Sequence, residues 1–251
     1  MDIKRVLCNL FVVILGVSLP QKGTAAALPL GGAPGKAFAV FVASYNADGL
    51  SAVGGVAGTA FFISPTKAIT AFHVLQDKSF RPAPGFQRVR VWLVHENYPA
   101  IELKPEQLSY KSEMDSSVIN LDHRSAVPAK YIFAMNSVTA ISNHVESEGF
   151  MANSTGPILE KRGADLVIVS VPKLERMKLN GTVLQHSQID LRSSDLNLKG
   201  APMVQLSYQP IKGFSGGPVT SQGKVIGMNS FADPNGNGRT WALQVTNSLL
   251  N

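Results

Sequence analysis

The sequence predicts an all-β chain folded as two six-stranded antiparallel barrels. Short extended runs separated by turn residues fill the chain from Phe38 onward. No long helical periodicity interrupts them, and the runs fall into two sets of about six. Closing each set into a barrel removes the exposed edges that so many short strands would leave.

The first set begins with Phe38 to Tyr45, Gly55 to Ile63 and Ala68 to Leu75. Ser64-Pro65-Thr66-Lys67 makes the turn between the last two, with proline fixing one turn torsion. Arg81-Pro82-Ala83-Pro84-Gly85 reads as a loop. Arg88 to His95, Ala100 to Lys111 and Ser116 to Leu121 complete the set. Residues 124–136, with Pro128, read as the connection. The second half supplies Thr139 to Phe150, Asp165 to Val171, Thr182 to His186, Met203 to Tyr208, Gly217 to Thr220, Lys224 to Phe231 and Arg239 to Thr246. Asn235-Gly236-Asn237-Gly238 is a hairpin signal, because Asn and Gly tolerate the positive φ that tight turns need. Asn247 to Asn251 is read as a short terminal helix. The expected division is 1–27 as a leader, 28–127 as the first barrel and 128–251 as the second.

The leader reads as a secretory signal peptide. Lys4 and Arg5 precede an apolar stretch from Val6 to Leu19, which is shorter than the ~20 residues a spanning helix needs. Ala25-Ala26-Ala27 offers small residues for cleavage, so Leu28 is the expected mature N-terminus. The expected location is secreted or periplasmic, with no membrane association once the signal is removed. Cleavage removes Cys8, the one cysteine, so the exported domain must be held by its core rather than by disulfides. The full chain carries +6. Its basic residues are scattered rather than interleaved with aromatics, so no nucleic-acid partner is expected.

Two segments carry chemistry. The first is Gly58-Thr59-Ala60-Phe61-Phe62-Ile63-Ser64, a turn, then Ala68-Ile69-Thr70-Ala71-Phe72-His73-Val74. The second is Gly213-Phe214-Ser215-Gly216-Gly217-Pro218-Val219, followed by Lys224-Val225-Ile226-Gly227-Met228-Asn229-Ser230. A serine hydroxyl is a poor nucleophile and needs an adjacent base. Histidine, with an ordinary pKa of ~6.5, takes and returns a proton near neutrality. His73 ends an apolar strand that can aim it, and glycines around Ser215 let the backbone approach a substrate closely. Either motif alone could be an ordinary histidine or a glycine-rich turn. The pair, in this order and flanked by strands, points to catalysis.

On these residues the chain resembles the trypsin-like serine peptidases over roughly residues 37–246. It is similar to their bacterial branches, such as glutamyl endopeptidases and the core domain of periplasmic quality-control proteases. The resemblance implies an active site between the barrels, with Ser215 as nucleophile and His73 as base. It implies an oxyanion hole from the N–H groups of Gly213 and Ser215. Phe214 stands where animal zymogens carry an acid that pairs with a freed N-terminus, so that switch is not expected here. The acid that orients His73 is Asp115 or Asp165. Asp115 is favoured, because 42 residues after His73 leave room for the first barrel to close, whereas Asp165 would add about 50 more.

The resemblance further implies substrate contacts from Ser230, Phe231 and Ala232, an edge that pairs with an extended peptide. The pocket floor would draw on Gln209, Pro210, Ala232 and Thr240. With Gln209 rather than an acid there, a Lys or Arg preference has no support, and a polar or medium-sized side chain is expected. The partner is a protein or peptide substrate. No cofactor is expected, and no metal, since His95, His123, His144 and His186 lack ligand-like spacing. The rival readings are a non-catalytic binding protein on the same fold and a basic protein for anionic polymers.

Overall fold

The computed structural model describes residues 28–29, 35–46, 52–135, 143–152, 158–162, 165–170, 174–193, 196–233 and 238–245. The leader 1–27, turn residues 235–237 and segment 247–251 singled out above lie outside the described residues. The first half holds β1 (Leu28–Pro29), β2 (Phe38–Tyr45), β3 (Ala52–Ser64), β4 (Lys67–Thr70), β5 (Arg88–His95), β6 (Tyr98–Leu103), β7 (Leu108–Lys111) and β8 (Ser116–Asn120). The second holds β9 (Ala134–Met135), β10 (His144–Phe150), β11 (Ile158–Arg162), β12 (Asp165–Ser170), β13 (Arg176–Arg192), β14 (Asn197–Leu206), β15 (Pro218–Ser221), β16 (Lys224–Ala232) and β17 (Thr240–Gln244). The helical pieces among the described residues are single 3-10 turns.

The first sheet runs β6-β5-β2-β3-β4-β8-β7. Its two end strands are consecutive in the chain, separated by Lys104 and the turn Pro105–Gln107, so the sheet curls round on itself. Here the structure corrects the expected single run from Ala100 to Lys111. Pro105 cannot donate to a ladder, and Lys104 N–H donates instead to Gln107 Oε1 at 2.8 Å. One expected strand thus becomes two, giving seven rather than six. In the second barrel the order β13-β10-β15-β16-β17-β14 closes through a further β13–β14 pairing, a hydrogen-bonded ring of six. β1 adds outside β13, and β9 pairs in parallel with β16. β11 and β12 form a separate hairpin.

The strands bury both faces where the barrels meet. In β2, Phe38 and Val40 enter the first barrel's core, while Ala39, Phe41 and Ala43 turn outward. β5 alternates likewise, with Val91 and Leu93 inward and Trp92 and Val94 outward. The outward rows cluster with Phe150 of β10, so a second apolar seam joins the barrels.

A charged cluster closes one end of that seam. Arg176 of β13 lies over the Phe150 ring at 4.5 Å, bonds Glu96 Oε2 at 2.6 Å and pairs with Glu148. Glu148 also accepts the Ala37 N–H at 2.9 Å. Beside it, buried His95 bonds the Gly35 carbonyl through Nε2 at 2.8 Å and accepts the Asn97 N–H at Nδ1 at 3.0 Å. Both nitrogens are committed, which fixes the neutral Nε2–H tautomer. Burial lowers the His95 pKa; Arg176 adds to this, while Gly35, Glu96 and Glu148 partly oppose it.

This sets a pH dependence. The folded state holds His95 neutral, while the unfolded chain protonates it near the ordinary ~6.5, so its contribution is full above that value and lost as pH falls. The urea midpoint is expected to drop between about pH 7.5 and about pH 5.5, and His95→Gln should flatten that slope. Equal slopes in the two proteins would contradict the assignment.

Candidate active site

Strand register brings His73 to Asp115. β4 pairs antiparallel with β8, with Thr70 opposite Ser117. Residues just after Thr70 therefore meet residues just before Ser117. His73 does not end a strand, as the sequence reading had it, but sits in a 3-10 turn, Phe72–Val74. β4 stops at Thr70, and the Val74 N–H turns back to the Ala71 carbonyl at 3.2 Å. Asp115 ends the preceding turn in the left-handed region, φ 49° and ψ 44°, which Asp tolerates better than most residues.

The Asp115 carboxylate has no exposed surface. Its Oδ1 accepts the His73 backbone N–H at 3.1 Å and the ring Nδ1 at 2.9 Å. Its Oδ2 lies 3.1 Å from the same Nδ1 and also accepts the Ser230 hydroxyl. An ionised carboxylate only accepts, so His73 Nδ1 carries the proton and Nε2 keeps its lone pair. The side chain of His73 is 23% exposed, open enough for Nε2 to reach a substrate. The alternative acid, Asp165, opens β12, its backbone paired with Arg162 of β11. Its side chain lies outside the described residues.

Ser215 lies in the glycine turn between β14 and β15. Its hydroxyl donates to the Ser230 carbonyl at 3.3 Å. Ser230 thus touches Asp115 with its side chain and Ser215 with its backbone. The sequence reading gave Ser230 only a substrate contact; its bridging part had no signature beyond its place after Asn229.

The turn needs glycine at two positions. Gly213 has φ +94°, and a Cβ there would lie 2.2 Å from the Phe150 carbonyl oxygen. Gly216 has φ +83°, and a Cβ would lie 2.2 Å from both Thr59 O and Thr70 Oγ1. The Lys212 carbonyl accepts the Ala152 N–H at 2.9 Å, and the Phe214 carbonyl accepts the Gly217 N–H at 2.8 Å. In a trans peptide the N–H points opposite the carbonyl. Anchoring these two carbonyls therefore turns the N–H groups of Gly213 and Ser215 the other way, and neither donates to a carbonyl among the described residues. Phe214 is buried in the second barrel's core, its ring against Gly149. Packing holds the loop where an ion pair was not expected.

Beside Ser215 is a cavity of about 40 Å³. Its walls include Leu179, Pro210, Ile211, Phe214, Phe231 and Ala232, with Tyr208, Asn229, Ser230 and Thr240 as the polar lining. Gln209 is exposed, against Gly238, and does not line it. Of the expected floor residues, Pro210, Ala232 and Thr240 line the cavity and Gln209 does not; past the end of β14 it is Tyr208 that is buried. The Tyr208 hydroxyl donates to Asn229 Oδ1 at 2.6 Å, and Asn229 Nδ2 donates to Ser147 Oγ at 2.5 Å. Burial pushes the Tyr208 phenol's pKa up, partly offset by hydrogen bonds with Ser147 and Asn229. It stays a neutral donor.

Among the described residues, no group of three or more His, Cys, Asp or Glu is placed to hold a metal, and no helix is long and apolar enough to cross a membrane.

The trypsin-like peptidase domain family matches residues 58–228, which hold both motif segments except the last stretch of β16. No curated protein matches the chain. The solved active form of the Rv3671c protease from M. tuberculosis superposes with a TM-score of 0.53 at 16% identity, covering 83% of this chain and 76% of that one. The HtrA-type protease AlgW, solved with a decapeptide, gives 0.54 at 13% identity, covering 86% of this chain and 63% of that one. At these identities the likeness is one of fold, while the family match spans more than half the sequence. The chain belongs to the trypsin-like peptidase family and is a serine endopeptidase.

Proposed function

We propose that this protein is an exported endopeptidase that cleaves polypeptides through an acyl-enzyme, with Ser215 as nucleophile, His73 as base and Asp115 as the orienting acid. The observation that carries the reading is the hydrogen-bonded chain of His73 Nδ1, Asp115, Ser230 and Ser215 across the barrel seam. The division at residue 127 belongs to the same proposal, each barrel contributing one side of the site.

In the proposed reaction, Ser215 Oγ adds to the scissile carbonyl and His73 Nε2 takes the hydroxyl proton. The carbonyl oxygen becomes an oxyanion and accepts from the N–H groups of Gly213 and Ser215. The C–N bond then breaks, with His73 returning the proton to the leaving amine. Water repeats the sequence on the ester and frees Ser215. Asp115 keeps the proton on Nδ1 and stabilises the imidazolium that forms. An extended substrate lies along Ser230, Phe231 and Ala232 at the end of β16.

The pocket chemistry names the side chain before the cut. Tyr208 bonds Asn229 and Asn229 bonds Ser147, and among the described residues no charged side chain lines the walls. A Lys, Arg or Glu side chain would lose its water there without gaining a partner. Small apolar residues such as Ala and Val fit, in place of the polar or medium-sized preference expected from Gln209.

Ser215→Ala should abolish casein hydrolysis while keeping the wild-type Tm, and His73→Ala should abolish it in a folded protein of lower Tm, because buried Asp115 loses its ring partner; wild-type turnover in either would remove the serine-peptidase mechanism. Asp115→Asn should lower kcat by ~10⁴, because the amide presents a donor to Nδ1 and selects the wrong tautomer. Asp165→Asn should cost little, and the reverse pattern would reassign the acid. In a peptide-ester series, kcat/KM for Ala or Val before the cut should exceed that for Lys or Glu by at least about 100-fold. A preference for either charged residue would refute the pocket reading. Intact-mass measurement of secreted material should give Leu28 as N-terminus; retention of residues 1–27 would refute export.

A further inference from the structure

Thr59 of β3 has no exposed surface, and its backbone N–H and its hydroxyl both donate to the turn that carries Ser215. Its backbone N–H donates to the Ser215 carbonyl at 2.8 Å. Its hydroxyl donates to the Gly213 carbonyl at 2.7 Å and accepts the Phe150 N–H at 3.2 Å. Its own carbonyl accepts the Thr70 hydroxyl at 2.7 Å. A hydroxyl has one hydrogen to donate, and here it goes to Gly213.

We propose that Thr59 is a positioning residue for the oxyanion hole: its hydroxyl holds the Gly213–Phe214 peptide, which joins the two peptides that carry the Gly213 and Ser215 N–H groups, and so sets how those two N–H groups stand to each other. This rests on the reading of those two N–H groups given under the proposed function.

The geometry explains why one hydroxyl carries this task. Gly213 has no Cβ to restrict it and sits at φ +94°, so its two flanking peptides rotate freely unless tied. Ala152 ties the peptide before it, through Lys212 O. Thr59 ties the peptide after it through Gly213 O, on the side opposite its Phe214 N–H, which donates to the Ile211 carbonyl at 3.0 Å. Gly213 lies 154 residues from Thr59, on the other barrel, so the tie also registers one barrel against the other. Thr70 extends the link toward the base, lying three residues before His73 and packing its hydroxyl where a Cβ on Gly216 would be. Thr70, Thr59 and the turn from Gly213 to Ser215 are thereby joined by one continuous line of hydrogen bonds. Valine has nearly threonine's shape and neither donor nor acceptor, so Thr59→Val frees the Gly213 carbonyl and strands the Phe150 N–H. Serine keeps the hydroxyl.

The experiment measures kcat and KM of wild type, Thr59→Val and Thr59→Ser on a peptide ester, with crystal structures of the two variants. Thr59→Val should lose about 10- to 100-fold in kcat with KM nearly unchanged, since the contact matters only as the oxyanion forms. Thr59→Ser should keep kcat within about threefold. In Thr59→Val the Gly213 carbonyl should swing from its place, and in Thr59→Ser it should stay. Wild-type kcat in Thr59→Val, or equal loss in both variants, overturns the inference. A wild type inert toward the ester refutes the proposed function instead, and the backbone comparison then decides this inference by itself: an unmoved 212–214 backbone in Thr59→Val overturns it.

Discussion

A carboxylate with no access to water lies at the seam of the two barrels, and it has to be satisfied. Asp115 accepts the backbone and ring N–H of His73 from its own barrel and the Ser230 hydroxyl from the other. A buried ion stripped of one partner costs roughly 3–5 kcal/mol. Sliding one barrel against the other would break the Ser230 bond, so the same group that orients the imidazole also fixes the register of the halves. The position of Ser215 follows, because its hydroxyl rests on the carbonyl of that same Ser230.

The turn that carries Ser215 is held by different means. Phe214 anchors it in the second barrel's core, and backbone bonds to Ala152 and Gly217 orient the peptides on either side. These contacts are apolar packing and neutral backbone hydrogen bonds. A loop set by packing and neutral hydrogen bonds needs no freed N-terminus to take its shape, which fits a chain with Phe at position 214 rather than an acid. Charge enters at the far end of the seam, where Arg176, Glu96 and Glu148 fasten the segment around Gly35 and Ala37.

Much of the first barrel was legible because its strands alternate in the ordinary way. Phe38–Tyr45 and Arg88–His95 coincide with their expected bounds. The length of the β13–β14 hairpin was not legible: the expected runs Thr182 to His186 and Met203 to Tyr208 cover only part of Arg176–Arg192 and Asn197–Leu206. Residues from Gln185 to Gln188 are exposed and polar on both faces, so no apolar period marks them, and the strand exists because its backbone closes the ring. Gln209 was expected at the pocket floor from sequence offset alone, but the segment after β14 leaves the strand, and there Tyr208 is buried and Gln209 exposed. Thr59 stood in the quoted Gly58-Thr59-Ala60 segment, but a hydroxyl's partner 154 residues away leaves no local pattern to read. His73 and Ser215 were legible because their chemistry is rare and their flanking strands are local.

The central claim is that Ser215 is the nucleophile of this site. The most direct measurement is labelling of the secreted protein with a serine-directed peptide phosphonate carrying Val at the reacting position, followed by peptide mass mapping. The account predicts stoichiometric modification of Ser215, lost in His73→Ala. Labelling of a different residue, or no labelling of a folded protein, would contradict it.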